Sequence, residues 1–481
     1  MKIDSDKLEA TIREVLAAMV PNQSAASSPA PAACPVPAPA QDEPTGDGVF
    51  ADMDSAVEAA YRAQREYMTH TMADRRRYVA AIREAMLAPE ALDYMSEQAV
   101  AQSGMGDAGH KYLKNKVAAA ETPGVEDLLT EAWSGDDGLT TVEYSPYGVI
   151  GAITPTTNPT ETITCNSIGM LAAGNSVVFS PHPRVARLSC WQVRRINRAL
   201  REAGAPDNLV VTVTAPSLEN TNAMMAHPRI NMLVATGGPG IVKAVLSSGK
   251  KAIGAGAGNP PAVVDESADI EHAARCIVDG ATFDNNLPCT AEKEIIAVDS
   301  IADMLKFCML KNGAYEATGA EITALENLLV ANGKPRTEWV GKPAAKILEA
   351  IGVTPPAGVR LIVCEASADH PFVVHELMMP VIGLVRVPDV DAAIDLAVEL
   401  EHGNRHTAVM HSLNVNKLTK MGKLIQTTIF VKNGPSFNGL GIGGEGYPTF
   451  TIAGPTGEGL TSARSFTRRR RCVLVGDLNV R

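Results

Sequence analysis

Aromatic residues are scarce in this chain, 4% of 481 residues, and long apolar runs are missing altogether. A bilayer-spanning helix needs roughly 18 or more consecutive apolar residues, so no membrane span is expected. Basic charge is in deficit: 43 Lys and Arg against 54 Asp and Glu leave a net charge of -11. That sign disfavours a nucleic-acid protein, which needs a basic face for the phosphate backbone. The one basic run, Arg468 to Arg471, precedes apolar Cys472 to Val475 and reads as a solvated turn before a strand. None of the eight cysteines stands in a CxxC pair or at metal-ligand spacing. Reduced thiols of a cytoplasmic protein are therefore expected, with neither a disulfide framework nor a metal site. Charges interrupt every apolar stretch near the N-terminus, so no secretion signal is expected there.

What is present in quantity is Ala, Val, Ile and 40 glycines, a mix that suits an α/β protein with much parallel sheet. The length exceeds what one hydrophobic core serves, so two or three domains are expected. From Gly148 onward, short apolar runs alternate with helical segments. Strands are read at 149–154, 176–179, 208–214 and 230–235, with helices at 159–173 and 185–203 between them. Such runs fit a parallel sheet covered on both faces. Helices over 52–68 and 73–101 are expected to pack on this body. The alternation resumes at 294–298, with a helix to Lys311 and strands near 361–364 and 382–387. Leu139–Tyr144 and Arg471–Val475 read as isolated strands that could pair as an arm away from the main sheet.

Residues 1–20 are of another kind. Leu8, Ile12, Val15, Leu16 and Met19 recur at helical spacing, charged residues fill the opposite face, and Pro21 ends the pattern. Residues 21–47 are Pro/Ala-rich and read as an unstructured tether. A short amphipathic helix on a tether is marginal alone and suits docking into a partner's groove.

Two local features point to chemistry. Thr236-Gly-Gly-Pro-Gly240 turns from a strand into a helix, where backbone amides and the helix dipole can face a phosphate. Such turns also serve packing alone, and this one departs from the spaced GxGxxG fingerprint. The second is Cys289, set in Phe283-Asp-Asn-Asn-Leu-Pro-Cys289 on a polar turn. A thiol on a loop beside a helix N-terminus can have a lowered pKa and act as a nucleophile. Cys165, Cys190, Cys276, Cys308, Cys364 and Cys472 lie in apolar patterns, where buried inert thiols are the default, and Cys34 lies in the tether. His406 and His411 are read as structural histidines, proton shuttling being the rarer role for a lone His.

The order of Asn158-Pro-Thr160, Thr236-Gly-Gly238, Gly258-Asn-Pro260, Cys289, Glu376-Leu-Met-Met-Pro380 and Asn433-Gly-Pro-Ser436 resembles the aldehyde dehydrogenase superfamily. Further blocks resemble its CoA-acylating branch from bacterial microcompartments: Gly104-Met-Gly106, Lys114-Asn-Lys116, Gly254-Ala-Gly-Ala-Gly-Asn-Pro-Pro261 and Pro455-Thr-Gly-Glu-Gly459. The likeness runs from about residue 48 to the end. It implies a doubly wound nucleotide-binding domain at 48–258, interrupted by an arm strand at about 139–146. An α/β catalytic domain at 259–440 and a return segment with an oligomerisation strand at 441–481 would follow.

The resemblance also implies roles. Cys289 would attack an aldehyde, with Asn158 as the natural side-chain donor to the oxyanion; an ungapped match puts Thr157 at that position instead. Thr236, Gly237, Gly238, Ser180, Pro181, Gly256 and Glu376 would hold a nicotinamide cofactor, NAD by resemblance, with Glu376 on its ribose. Hydrolytic members carry a glutamate base where this chain has Gly254. Without a positioned base water is a poor nucleophile, whereas a thiol is intrinsically good. Coenzyme A is thus the expected acyl acceptor. Propionaldehyde is the expected substrate and acetaldehyde the next. A shell protein would take residues 1–20 as its docking peptide, and a homo-oligomer, dimer or tetramer, is expected inside a microcompartment of the cytoplasm.

Overall fold

The structure, a computed structural model, describes residues 44–480. The expected helix at 1–20 and most of the tether lie outside them. The chain forms two compact units, one from 44–86, 123–256 and 461–480, the other from 87–122 and 257–460.

The first unit is built on a six-stranded sheet. In chain order its strands are β1 (Val49–Phe50), β4 (Val149–Thr154), β5 (Ser176–Pro181), β6 (Val210–Val213), β7 (Ile230–Thr236) and β8 (Lys251–Ala255); β2 (Glu131–Gly135) and β3 (Gly138–Pro146) belong elsewhere. They lie in the order β1-β6-β5-β4-β7-β8, every pair parallel. Every residue of β4, β5 and β6 is buried, because helices cover both faces. One of these, Pro159–Ala172, contains a single charged residue and is buried at every position. Ala186–Glu202 is amphipathic instead, turning Leu188, Val193, Ile196 and Leu200 inward and arginines outward. The chain runs from β4 to β6 in one direction and returns through β7 to β8 in the other. The order therefore reverses between β4 and β7, the switch point where ligands enter doubly wound sheets.

The arm is present as a separate antiparallel sheet, β2-β3-β20, where β20 is Thr467–Val475. Its register pairs Arg471 with Val142 and Val475 with Gly138. The arginine run is thus part of the strand itself, not a turn before it, and nearly all of β20 is exposed. Cys472 is exposed with it, against the expectation of a buried thiol.

The second unit carries the seven parallel strands β9 (Pro261–Val264), β10 (Glu294–Val298), β11 (Ala314–Ala317), β14 (Leu361–Glu365), β15 (Val381–Val387), β16 (Thr407–His411) and β17 (Ile429–Lys432). Their order is β11-β14-β15-β10-β9-β16-β17. Two small hairpins, β12–β13 (330–331 with 334–335) and β18–β19 (452–453 with 459–460), complete the strand set. Helices Met72–Leu87 and Pro89–Ser103 replace the single helix expected over 73–101, with Pro89 opening the second; proline is at home in a first helical turn but breaks an interior. The break coincides with the passage between units, so 87–122 belong to the second and not to the segment expected at 48–258. Residues 441–460 likewise belong to the second unit, beyond the boundary expected at 440.

Candidate functional site

Cys289 is partly buried in a turn closed by the Ala291 N–H donating to the Pro288 carbonyl at 3.0 Å. Strand β10 follows, so no helix opens directly after this thiol. The local cation is a residue that sequence reasoning passed over. Lys293, 3% exposed, donates from Nζ to the Asn286 carbonyl at 2.9 Å, to Asn286 Oδ1 at 2.7 Å and to the Pro288 carbonyl at 3.3 Å. Burial lowers the pKa of its ammonium, while Glu376 and Cys289 pull it back up. The thiol feels the opposite balance. Burial and then the Glu376 carboxylate push Cys289 up to about 12, against Lys293. This corrects the expectation of an acidified thiol: protein alone leaves the sulfur protonated at neutral pH.

Glu376 is half-buried on the segment that leads into β15. Its carboxylate accepts from the Gly258 N–H, and burial raises its pKa against the Lys293 charge. Gly258 permits a close approach, since a Cβ there would lie 2.9 Å from the Cys289 carbonyl oxygen and 2.9 Å from His406 Cγ. His406 thereby joins the cluster. Its N–H donates to Glu401 Oε1 at 2.9 Å, Nδ1 meets Thr407 Oγ1 at 2.9 Å, and buried Nε2 has no protein partner. Burial, with Lys293 second, pulls its pKa down to about 4, so the ring is neutral. His411 is also held near 4, by burial and by His272, at the far end of β16. One of the two histidines stands across Gly258 from the Cys289 carbonyl, and no sequence signal separates them.

Gly258, Cys289, Glu376 and His406 come from the segments that lead into β9, β10, β15 and β16, neighbours in the sheet. The cluster therefore stands at the amino ends of parallel strands. Beneath it, Glu292 is fully buried, accepting from the Ser436 N–H at 2.9 Å and its hydroxyl at 2.7 Å; burial raises its pKa to about 7. Glycine at 280 makes room for that carboxylate, 2.1 Å from where a Cβ would stand.

The loop into Cys289 is strained. Asp284, Asn285 and Asn286 all have positive φ, at 51°, 54° and 65°, a conformation costing on the order of 1 kcal/mol per residue outside glycine. Side chains hold it there. Asn285 donates to the Gly341 carbonyl at 3.0 Å, and Asn286 to those of Ala281 and Glu292 at 2.8 and 2.9 Å.

In the first unit, the remaining candidates gather at the carboxyl ends of β4, β5, β7 and β8. Thr157 and Asn158 follow β4, and the Asn158 amide donates to Thr157 Oγ1 at 3.3 Å. Thr236 ends β7, and Gly237 and Gly238 lead from it into helix Pro239–Leu246. These two loops flank the switch point. A Cβ at Gly238 or Gly256 would meet nothing within 4 Å, so both face open space as a docking phosphate requires. Ser180 and Pro181 end β5, with the Ser180 hydroxyl turned inward to Thr221 at 2.8 Å. Gly254 also has a packing reason: a Cβ there would lie 2.7 Å from Val242 Cγ1. Among the described residues no His, Cys, Asp and Glu group could hold a metal, and no helix is long and apolar enough to cross a membrane.

Comparison with known proteins gives the arrangement a context. The model of the aldehyde dehydrogenase family matches residues 31–313. A CoA-propanoylating propanal dehydrogenase of Salmonella typhimurium is 46% identical, over 100% of both chains. The solved structure of Rhodopseudomonas palustris propionaldehyde dehydrogenase with bound CoA and an acylated cysteine is 64% identical, with a TM-score of 0.90 over 91% of this chain and 100% of its own. A propionaldehyde dehydrogenase from the fucose-utilisation microcompartment of Clostridium phytofermentans is 50% identical, with a TM-score of 0.89 over 91% and 100%. An engineered glycolyl-CoA reductase with bound NADP+ is 63% identical, with a TM-score of 0.90 over the same shares.

Proposed function

Because the chain belongs to the aldehyde dehydrogenase family, we propose that it oxidises a short-chain aldehyde to its acyl-CoA through a thioester on Cys289. Propionaldehyde is the first choice and acetaldehyde the next; one methylene is worth only about 1–3 kcal/mol of discrimination. The observation that carries the reading is the setting of one thiol. Cys289 stands with Lys293 and Glu376, with His406 across Gly258 from its carbonyl, while position 254 holds no carboxylate.

Cys289 gives its proton to solvent, its sulfur forms a carbon–sulfur bond to the aldehyde carbon, and the carbonyl oxygen takes the negative charge. Lys293 offsets the charge on sulfur before attack. The Cys289 N–H and the side chain of Asn158 or Thr157 are assigned as donors to the oxyanion. A nicotinamide dinucleotide, when bound, supplies the acceptor for the two electrons of the oxidation. Thr236, Gly237, Gly238 and Gly256 fit its phosphates, because their turns open beside a helix N-terminus. Ser180 and Pro181 border the same mouth, and Glu376 is assigned to the ribose. NAD is taken on the family resemblance; the NADP+ of the engineered relative makes the comparison of the two worth measuring. Coenzyme A then forms the new thioester, and Cys289 leaves as thiolate. The proton of the incoming thiol goes to solvent, and neutral His406, whose Nε2 has no protein partner, is assigned to accept a hydrogen bond from that thiol.

Residues 1–20 are assigned to docking on a microcompartment shell protein, and the β2-β3-β20 arm to homo-oligomer formation. The test of the chemistry is to omit CoA. At most one NADH per Cys289 is expected, with multiple turnovers and acyl-CoA by mass when CoA is restored, and none in Cys289→Ala. Sustained turnover without CoA would instead establish a hydrolytic enzyme. An acyl phosphate product would establish phosphate as acceptor, and wild-type inactivity a scaffold.

A further inference from the structure

Two blocks of the sequence, Gly104-Met-Gly106 and Lys114-Asn-Lys116, have no part in the chemistry above. Both converge on one carboxylate. Asp284 is fully buried, and its Oδ2 accepts from Lys111 Nζ at 3.0 Å and Lys114 Nζ at 2.6 Å. Its Oδ1 accepts from the Asp107 N–H at 2.7 Å, and its own N–H meets His110 Nδ1 at 3.1 Å. Lys111 and Lys114, themselves fully buried, lie three residues apart on one face of helix Ala108–Glu121, and Asp107 caps it. The opening turns of one helix thus seize one residue from four directions.

Gly106 shows how closely the parts are fitted. A Cβ there would lie 2.2 Å from Asp284 Oδ1, 2.8 Å from Lys111 Cε and 2.9 Å from Leu287 Cδ1, and φ is +86°. Leu287 is also met by the Gly341 position at 2.9 Å. What is held is the left-handed run Asp284–Asn286, only three residues before Cys289. A run in that conformation persists where its surroundings over-determine it. A buried carboxylate with two ammonium partners is costly to disturb at any one member. The Lys114 charge also reaches the Cys289 sulfur.

We infer that Asp284, gripped by Lys111 and Lys114, is a positioning clamp that sets where Cys289 stands for attack. None of the three touches the reacting atoms. The inference rests on the reading of Cys289 as nucleophile. Its variants are made in the full-length chain with saturating CoA and cofactor. Lys114→Met keeps the buried volume and removes one arm of the clamp. The expected result is a kcat at least tenfold lower with the aldehyde KM within threefold, in protein whose circular dichroism and oligomeric state match wild type. Lys114→Arg should return kcat to within threefold. If Lys114→Met does not fold, Lys111→Met, which keeps the shorter ion pair, is judged by the same criteria. A kcat equal to wild type, a loss confined to KM, or failure of arginine to restore kcat would overturn the clamp. Wild type and Cys289→Ala run beside them: acyl-CoA formation that survives Cys289→Ala would instead remove the nucleophile reading itself.

Discussion

At the scale of single residues the thiol is the centre of a conflict of charges. Burial and Glu376 hold Cys289 protonated, while Lys293, fastened to three oxygens of the loop, favours its ionisation. Removing the like charge shifts the balance in a known direction. In Glu376→Gln the thiol pKa falls, so alkylation of Cys289 by iodoacetamide at pH 8 should be several-fold faster than in wild type. In wild type the same rate should keep climbing with pH through the alkaline range, with no plateau near pH 8. A slower or unchanged rate in Glu376→Gln would show that the carboxylate does not control the sulfur. The two readouts are opposed: alkylation should quicken as catalysis slows, because Glu376 is also assigned to the cofactor.

At the scale of elements, the two sheets use opposite ends. In the first unit the glycine turns and the Thr157–Asn158 loop stand at carboxyl ends, on either side of the β4/β7 reversal. In the second, the thiol, Gly258, Glu376 and His406 stand at the amino ends of β10, β9, β15 and β16. Strand β8 adds a constraint on the missing base. The glycine at 254 lets helix Pro239–Leu246 approach, with Val242 filling the place of a side chain. Gly254→Glu is therefore expected to overpack this contact, lowering stability by about 1–3 kcal/mol. It should not confer CoA-independent turnover. Thermal unfolding and NADH production without CoA check both parts; steady hydrolytic turnover in this variant would show that the carboxylate reaches the thioester.

At the scale of the whole molecule, chemistry and address are separate. Every residue assigned to catalysis lies within 107–436, whereas the docking peptide is assigned to residues 1–20. Deleting 1–20 should leave kcat and KM for aldehyde and CoA unchanged while abolishing co-purification with shells. Retained association with shells would remove the docking role, and altered kinetics would show that the segment belongs to the enzyme's own body.

Much was legible in the chain alone, and for local reasons. Apolar runs with glycine and proline punctuation marked the central strands β4 to β7 of the first sheet and β10, β14 and β15 of the second, and two isolated strands announced the arm that β3 and β20 form. The proposed nucleophile Cys289 and the glycine at 254 could be singled out because each is a residue type at a motif position. What only tertiary structure decided is the company of the thiol. Lys293 looked like an ordinary charged residue four positions on, His406 like His411, and Asp284 like any loop aspartate. Their roles follow from burial and from strands distant in sequence lying side by side. The same holds for the ionisation of Cys289: sequence context suggested a helix dipole and an acidic thiol, and the fold supplied a strand, a desolvated sulfur and a carboxylate. A pKa is set by the dielectric and the charges around a group, and neither is written in its sequence neighbours.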